Sequence, residues 1–289
     1  MHEPLFTGAC TALVTPFLDG KVNYPMIEQL LRRQIEAGIT AVVIAGTTGE
    51  SPTLSDDEKF ELFRRCKEYA GSACKIIAGT GTNSTEHAVA LSMAAEEAGV
   101  DGLLVVTPYY NKATAEGLFK HYLSIAHAIS LPIILYNVPS RTGVDIPVSV
   151  YQRLSRVPNI VGVKEASADI TKTARILLAC EPGFSVWAGN DDQIVPVMAL
   201  GGSGVISVLS NVYPRETGVM CQAALNGDFQ AAAKMQLSFL PLIDLLFCEV
   251  NPIPVKEAMK QIGFDCGDCR LPLCKLTKEH QQQIVRYFG

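Results

Sequence analysis

The chain has 289 residues, 48% apolar and 18% charged, and its 24 Lys and Arg against 29 Asp and Glu give a net charge of −5. That composition excludes disorder throughout, and an acidic balance without a basic tract argues against nucleic acid as a partner. No apolar run reaches the roughly 18 residues of a membrane span, and the opening MHEPLFTGAC lacks the basic and long apolar parts of a secretion signal. The expectation is a cytoplasmic protein with no membrane partner.

In chain order, eight runs rich in Val and Ile read as buried strands of a parallel sheet: residues 10–15, 40–46, 75–79, 102–107, 132–137, 160–164, 184–189 and 204–208. Helical segments fill the gaps. Ile27, Leu30, Leu31 and Ile35 fall at helical spacing, as do Leu118, Phe119, Tyr122 and Ile125. Ser55-Asp-Asp-Glu58 reads as a capping box, and Asn83-Ser-Thr-Glu86 as a second copy of that signal. Gly38 and Gly99, in the paired segments Glu36-Ala-Gly-Ile and Glu97-Ala-Gly-Val, suit helix C-termini, and Gly202-Ser-Gly204 is a looser third copy. Eight strands alternating with helices predict a (β/α)8 TIM barrel, with a doubly wound open sheet as the competing arrangement. After the last strand the signal is helical, broken by Asn251-Pro-Ile-Pro254 and by residues 263–274. The expected division is a catalytic barrel over 1–227 and a helical C-terminal domain over 228–289.

The nine cysteines (10, 66, 74, 180, 221, 248, 266, 269 and 274) are odd in number, and the default is reduced, mostly buried thiols. Cys266, Cys269 and Cys274 have a metal-like spacing, but only the distant His280 offers a fourth ligand. The other histidines (His2, His87, His121 and His127) are scattered, with no His-x-His or HExxH spacing. No metal is expected, which favours an imine route over a metal-dependent aldolase. Gly79-Thr-Gly81 is a fragment of a dinucleotide fingerprint, but Ser84 replaces its last glycine and Asp101 precedes its strand, so no nicotinamide cofactor is expected either.

In a barrel the chemistry sits at the C-terminal strand ends. Those positions hold Thr15, Gly46-Thr47-Thr48-Gly49-Glu50, Thr80-Gly81, Thr107 with Tyr109 and Tyr110, Tyr136-Asn137 then Arg141, Lys164-Glu165, Gly189-Asn190-Asp191 and Ser207. A lysine closing the apolar strand Ile160-Val-Gly-Val-Lys164 points into the barrel mouth, where desolvation favours the free amine a Schiff-base nucleophile needs. The plainer alternative is a strand-end lysine reaching solvent. The Gly46–Gly49 turn is either a carboxylate or phosphate cradle or an ordinary strand–helix turn, and without a following Gly-Lys-Ser/Thr it is not a Walker loop. A tyrosine there either relays protons or packs with its hydroxyl bonded, and Arg141 either clamps a carboxylate or lies on the surface.

Five motifs in one order, GTTGES (46–51), TPYYNK (107–112), YNVPSRTG (136–143), VGVKEAS (161–167) and GGSGVIS (201–207), with the opening TALVTPF (11–17), resemble the dihydrodipicolinate synthase family of pyruvate-dependent class I aldolases. The resemblance implies condensation of pyruvate with (S)-aspartate 4-semialdehyde in diaminopimelate/lysine biosynthesis, with no cofactor. It implies Lys164 as the Schiff-base lysine, Tyr136 beside it, and Thr47 linking Tyr136 to Tyr110 in a proton relay. Thr48 would hold the pyruvate carboxylate, Arg141 the semialdehyde carboxylate, and Ile206 a main-chain carbonyl near pyruvate. In that family the second tyrosine reaches in from a neighbouring subunit, so Tyr110 implies a homo-oligomer, a dimer or a tetramer built as a dimer of dimers. Thr47-Thr48 with Arg141 favours the synthase over its sister lyases of 2-keto sugar acids. A third possibility is a catalytically silent barrel that binds a keto acid. Lysine-inhibited members bind lysine near positions that match Ser51, Asn83 and Tyr109. Here Asp56 and Lys59 stand where those enzymes often have histidines, and His87 where they have a glutamate. The expected feedback by lysine is weak or absent, because the carboxylate partner for its ammonium is gone.

Overall fold

A computed structural model describes residues 3–289, so His2 lies outside it. Ten strands occur among the described residues: β1 (Gly8–Ala12), β2 (Phe17–Leu18), β3 (Lys21–Val22), β4 (Ala41–Ile44), β5 (Lys75–Gly79), β6 (Gly102–Val106), β7 (Ile133–Asn137), β8 (Ile160–Glu165), β9 (Ser185–Ala188) and β10 (Gly204–Ser207). Eight of them close into an all-parallel barrel in the order β1-β10-β9-β8-β7-β6-β5-β4, and β4 pairs back onto β1. The fold is the expected (β/α)8 barrel. The expected runs overshoot most strands by one to three residues. Ala45, with φ 49, shows why: the chain leaves the ladder to build a site loop while its residues stay apolar. The hairpin β2–β3 was not expected, although its Asp19-Gly20 turn, with both φ values positive, is a recognisable hairpin signal.

Side chains alternate along the barrel strands. Val42, Ile44, Ile76, Leu103, Val105, Ile133, Leu135, Val163 and Val186 face outward to the helices. Cys10, Ala12, Ala41, Val43, Ile77, Leu104, Ile134, Tyr136, Trp187 and Ile206 fill the interior. Phe6 stacks on Trp187 at 4.8 Å between ring centroids. Gly162 makes room for that indole, because a Cβ there would lie 2.7 Å from Trp187 Cζ3. With Val163 outward, Lys164 is turned inward.

Helices α1 (Tyr24–Glu36), α2 (Asp56–Ala70), α3 (Thr85–Glu97), α4 (Ala115–Ala128), α5 (Pro139–Thr142), α6 (Val148–Leu154), α7 (Ile170–Ala179) and α8 (Ile194–Ala199) lie between strands, and α9 (Pro214–Leu225) packs against β1. Ile27, Leu30 and Leu31 bury one face of α1, and Leu118, Tyr122 and Ile125 one face of α4. Ser55 and Glu58 form the expected reciprocal capping box on α2. The second box does not form. Ser84, not Asn83, caps α3, which moves Glu86 off the third helical position and puts His87 there. Gly38 and Gly99 follow helix ends with φ 86 and 78, whereas in the third copy the positive φ after α8 falls on Gly201. The chain ends in α10 (Phe229–Leu246), α11 (Ile253–Gln261) and α12 (Lys278–Phe288). No helix among the described residues is long and apolar enough to cross a membrane.

Candidate active site

Lys164 and Tyr136 are direct register partners on the neighbouring strands β8 and β7. Both point into the barrel mouth and are 5% and 6% exposed. Lys164 Nζ lies 4.6 Å from the centre of the Tyr136 ring. The lysine therefore does not reach solvent along its stem. The next residues out, Asn137 and Glu165, are locked together: Asn137 Nδ2 donates to Glu165 Oε1 at 2.9 Å, as Tyr151 Oη does to Oε2 at 3.0 Å and the Ser167 N–H to Oε1 at 2.8 Å. Burial, with the Glu165 charge second, pushes the Tyr151 phenol well above its ordinary range, so Tyr151 stays a donor. That network pins the end of β8 and with it the backbone of Lys164.

On the far side, Asp191 is buried and accepts the Val208 and Leu209 N–H groups through Oδ2, both at 2.9 Å. Burial raises its carboxyl, opposed by Ser207, by those two N–H groups and by the charge of Lys164. Burial also pushes the Cys10 thiol up strongly, so the inward cysteine of β1 is an inert neighbour of the lysine. Ile206, the register partner of Cys10, has its side chain in the barrel interior.

The turn after β4 is fixed by Glu50 N–H to Thr47 O at 3.1 Å, Ser51 N–H to Gly46 O at 3.2 Å and Thr15 Oγ1 to Gly49 O at 2.7 Å. Thr48 is buried and Thr47 half-buried. Beside the turn opens a cavity of about 570 Å³ whose wall includes Thr47, Tyr109, Tyr110, Tyr136 and Arg141. The expected relay residues Thr47, Tyr110 and Tyr136 thus share one wall, although within the single chain no hydrogen bond joins them. Tyr110 is 90% exposed and sits at φ 70 on its loop. Lys164, Thr48 and Ile206 are not part of that wall. Arg141, on α5, is exposed and reaches Asn251 O at a long 3.4 Å.

The cavity continues outward to Ser51 and Lys59. The three departures expected to blunt lysine feedback meet at Asp56: His87 Nε2 lies 2.9 Å from Asp56 Oδ2, and Lys59 Nζ 3.8 Å from Asp56 Oδ1. Burial lowers the Lys59 ammonium from its usual range.

Three residues of the helical extension escaped the sequence reading. Asn251 Nδ2 donates to Thr48 Oγ1 at 3.0 Å, and Lys256 pairs with Glu50 at 2.6 Å, both side chains buried. The Arg270 N–H donates to Glu50 Oε2 at 2.9 Å. The one signal was Asn251-Pro-Ile-Pro254, which reads only as a helix breaker. His280, the one candidate fourth ligand beside the cysteines, has its Nδ1 on Glu249 at 2.7 Å instead. Among the described residues no cluster of three or more His, Cys, Asp or Glu side chains is arranged to hold a metal.

The sequence model of the dihydrodipicolinate synthetase family matches residues 5–288. The chain is 46% identical over 292 residues to the 4-hydroxy-tetrahydrodipicolinate synthase of Acetivibrio thermocellus, covering 100% of this chain and 99% of that protein. It is 48% identical over 284 residues to the enzyme of that name from Caldicellulosiruptor saccharolyticus, covering 98% and 96%. The crystal structure of a chloride-inhibited dihydrodipicolinate synthase from Acinetobacter baumannii complexed with pyruvate superposes with a TM-score of 0.95 at 41% identity, over 98% of this chain and 97% of that one. The chain belongs to the dihydrodipicolinate synthetase family.

Proposed function

We propose that Lys164 is the imine-forming residue with which this chain condenses pyruvate and (S)-aspartate 4-semialdehyde to 4-hydroxy-tetrahydrodipicolinate, the committed step of diaminopimelate/lysine biosynthesis. The observation that carries the assignment is the inward, buried Lys164 set 4.6 Å from the Tyr136 ring at the C-terminal end of a barrel strand. Its Nζ adds to the pyruvate carbonyl, and loss of water leaves the imine. The imine acidifies the pyruvate methyl, the enamine attacks the aldehyde, and attack of the substrate amine on the imine carbon frees the lysine.

Tyr136, beside the amine, carries protons to and from the carbinolamine oxygen, and Thr47 passes them on toward Tyr110. Thr48 and the N–H groups of its turn hold the pyruvate carboxylate, the Ile206 carbonyl faces pyruvate, and Arg141 receives the semialdehyde carboxylate. A tyrosine 90% exposed on a loop tip at φ 70 fits a group delivered to a neighbouring subunit, so the working enzyme is a homo-oligomer, a dimer or a dimer of dimers. Residues 1–227 form the catalytic barrel and 228–289 a helical C-terminal domain. The reaction runs in the cytoplasm, without metal or cofactor.

The test is turnover of pyruvate and (S)-aspartate 4-semialdehyde, coupled to dihydrodipicolinate reductase and NADPH. Wild type turns over, and Lys164→Ala loses turnover together with borohydride-trapped pyruvate. Trapping without turnover would assign the chain to the sugar-acid lyases. Absence of trapping in wild type would leave a silent keto-acid binder.

A further inference from the structure

We infer that Asn251, on the helical extension, is the positioning residue that turns the Thr48 hydroxyl toward the pyruvate carboxylate and ties that subsite to Arg141. The inference rests on the roles proposed above for Thr48 and Arg141 and adds a residue those roles do not contain.

Thr48 Oγ1 makes one hydrogen bond with the protein, as acceptor from Asn251 Nδ2 at 3.0 Å. Both residues are buried, at 2% and 5% exposure. A hydroxyl carries one hydrogen and two lone pairs. With a lone pair taken by the amide, the hydrogen is turned away from Asn251 and is left to donate. A donor is what a carboxylate needs, and an anionic acceptor makes that bond about twice as strong as a neutral one. The amide has no competing structural task. Its Oδ1 is buried without a partner, so its one side-chain bond to the protein goes to Thr48. Burying an amide on a single bond is costly, and a residue serving packing alone would be apolar here. The same residue's main-chain oxygen accepts Arg141 Nη2 at 3.4 Å. One residue of the extension thus touches the two side chains that take the two substrate carboxylates, by its side chain on one and by its backbone on the other.

That split makes the inference testable. Replacing the side chain removes the Thr48 contact and keeps the Arg141 contact. In Asn251→Ala the pyruvate concentration for half-maximal borohydride trapping on Lys164 should rise about tenfold, the worth of one charge-assisted hydrogen bond, while trapping at saturation persists. The KM for the semialdehyde should move less than threefold. In Asn251→Asp, isosteric and so the safeguard if the alanine variant folds poorly, a carboxylate accepts the Thr48 proton and repels the substrate. The half-saturating pyruvate should then rise about a hundredfold. In a Thr48→Val background Asn251→Ala should add less than twofold. Unchanged pyruvate half-saturation in both variants, or an equal rise for both substrates, overturns the inference. A wild type that traps no pyruvate instead overturns the Schiff-base reading, and this inference with it.

Discussion

Replacing Lys256 by methionine isolates a buried ion pair that joins the extension to the Gly46–Glu50 turn. Lys256 Nζ lies 2.6 Å from Glu50 Oε1, with side chains 5% and 0% exposed, and 4.4 Å from the Phe17 ring centre. Glu50 ends the Gly46–Glu50 turn at φ 57 and keeps, besides the ammonium, the Arg270 N–H. Methionine fills the space and removes the charge, which leaves a buried carboxylate with one main-chain donor. Breaking a buried pair from one side costs about 3–5 kcal/mol. At an unfolding entropy of roughly 2.1 cal/mol/K per residue, the 289-residue chain loses roughly 0.6 kcal/mol per degree, so Tm should fall by about 5–8 °C. The assay is thermal unfolding followed by circular dichroism, on Lys256→Met, Glu50→Gln and the double variant. The double variant should recover at least about 2 kcal/mol of the summed single losses, because it leaves no unpaired charge. A drop under about 2 °C in Lys256→Met, or additivity within about 0.5 kcal/mol, would refute the claim that the pair holds the turn.

His121 has its Nδ1 2.9 Å from Thr85 Oγ1 and its Nε2 buried without a partner, and burial lowers its pKa to about 4. The neutral form is the folded one, so this contribution to stability is complete above the unfolded value of about 6.5 and is lost as pH falls from there to about 4, some 3 kcal/mol in all. His121→Gln should flatten the stability–pH curve across that window, and parallel curves in urea melts would refute the assignment. Arg141→Ala should raise the semialdehyde KM roughly ten- to hundredfold, through the loss of charged hydrogen bonds, and leave pyruvate trapping within threefold; a matching rise for pyruvate would place Arg141 elsewhere in the site. On the family likeness, lysine should inhibit weakly or not at all, because His87 stands in place of the glutamate that would meet its ammonium and lies 2.9 Å from Asp56 Oδ2. Strong inhibition at submillimolar lysine in the coupled assay would sink that expectation.

The parts of the fold that were legible in sequence are those set by local period and local capping. Apolar runs bounded by turn residues mark all eight barrel strands, and the Ser55–Glu58 box marks the start of α2 to the residue. The strand-end rule then put Lys164, Tyr136 and Arg141 among the candidates, and in the structure alternation along β8 turns Val163 outward and Lys164 inward. Errors arose where one residue decides the outcome. Asn83 and Ser84 are both good caps, and only the approach of the chain to α3 puts the accepting oxygen on Ser84. The relay roles of Thr47 and Tyr110 came from family likeness, since nothing in their spacing distinguishes a relay hydroxyl from a packed one.

The residues that escaped share a physical cause. Asn251 meets Thr48 across 203 residues of chain, and Arg270 meets Glu50 across 220. No period, cap or turn signal reaches that far. Glu50 on its own reads as a solvated acid at a helix entrance, and Lys256 as one more charge on α11. Only their meeting makes them a buried pair. The consequence bears on how the barrel works. A (β/α)8 barrel supplies the lysine and its tyrosine from rigid strands, but its loops need something to hold them. Here the loop after β4, the second barrel strand, is held from outside the barrel, by Asn251, Lys256 and the backbone of Arg270. The extension is therefore part of what holds the Gly46–Glu50 turn, and with the role proposed for Thr48, substitutions more than 200 residues away from that turn should alter pyruvate binding before they alter the barrel.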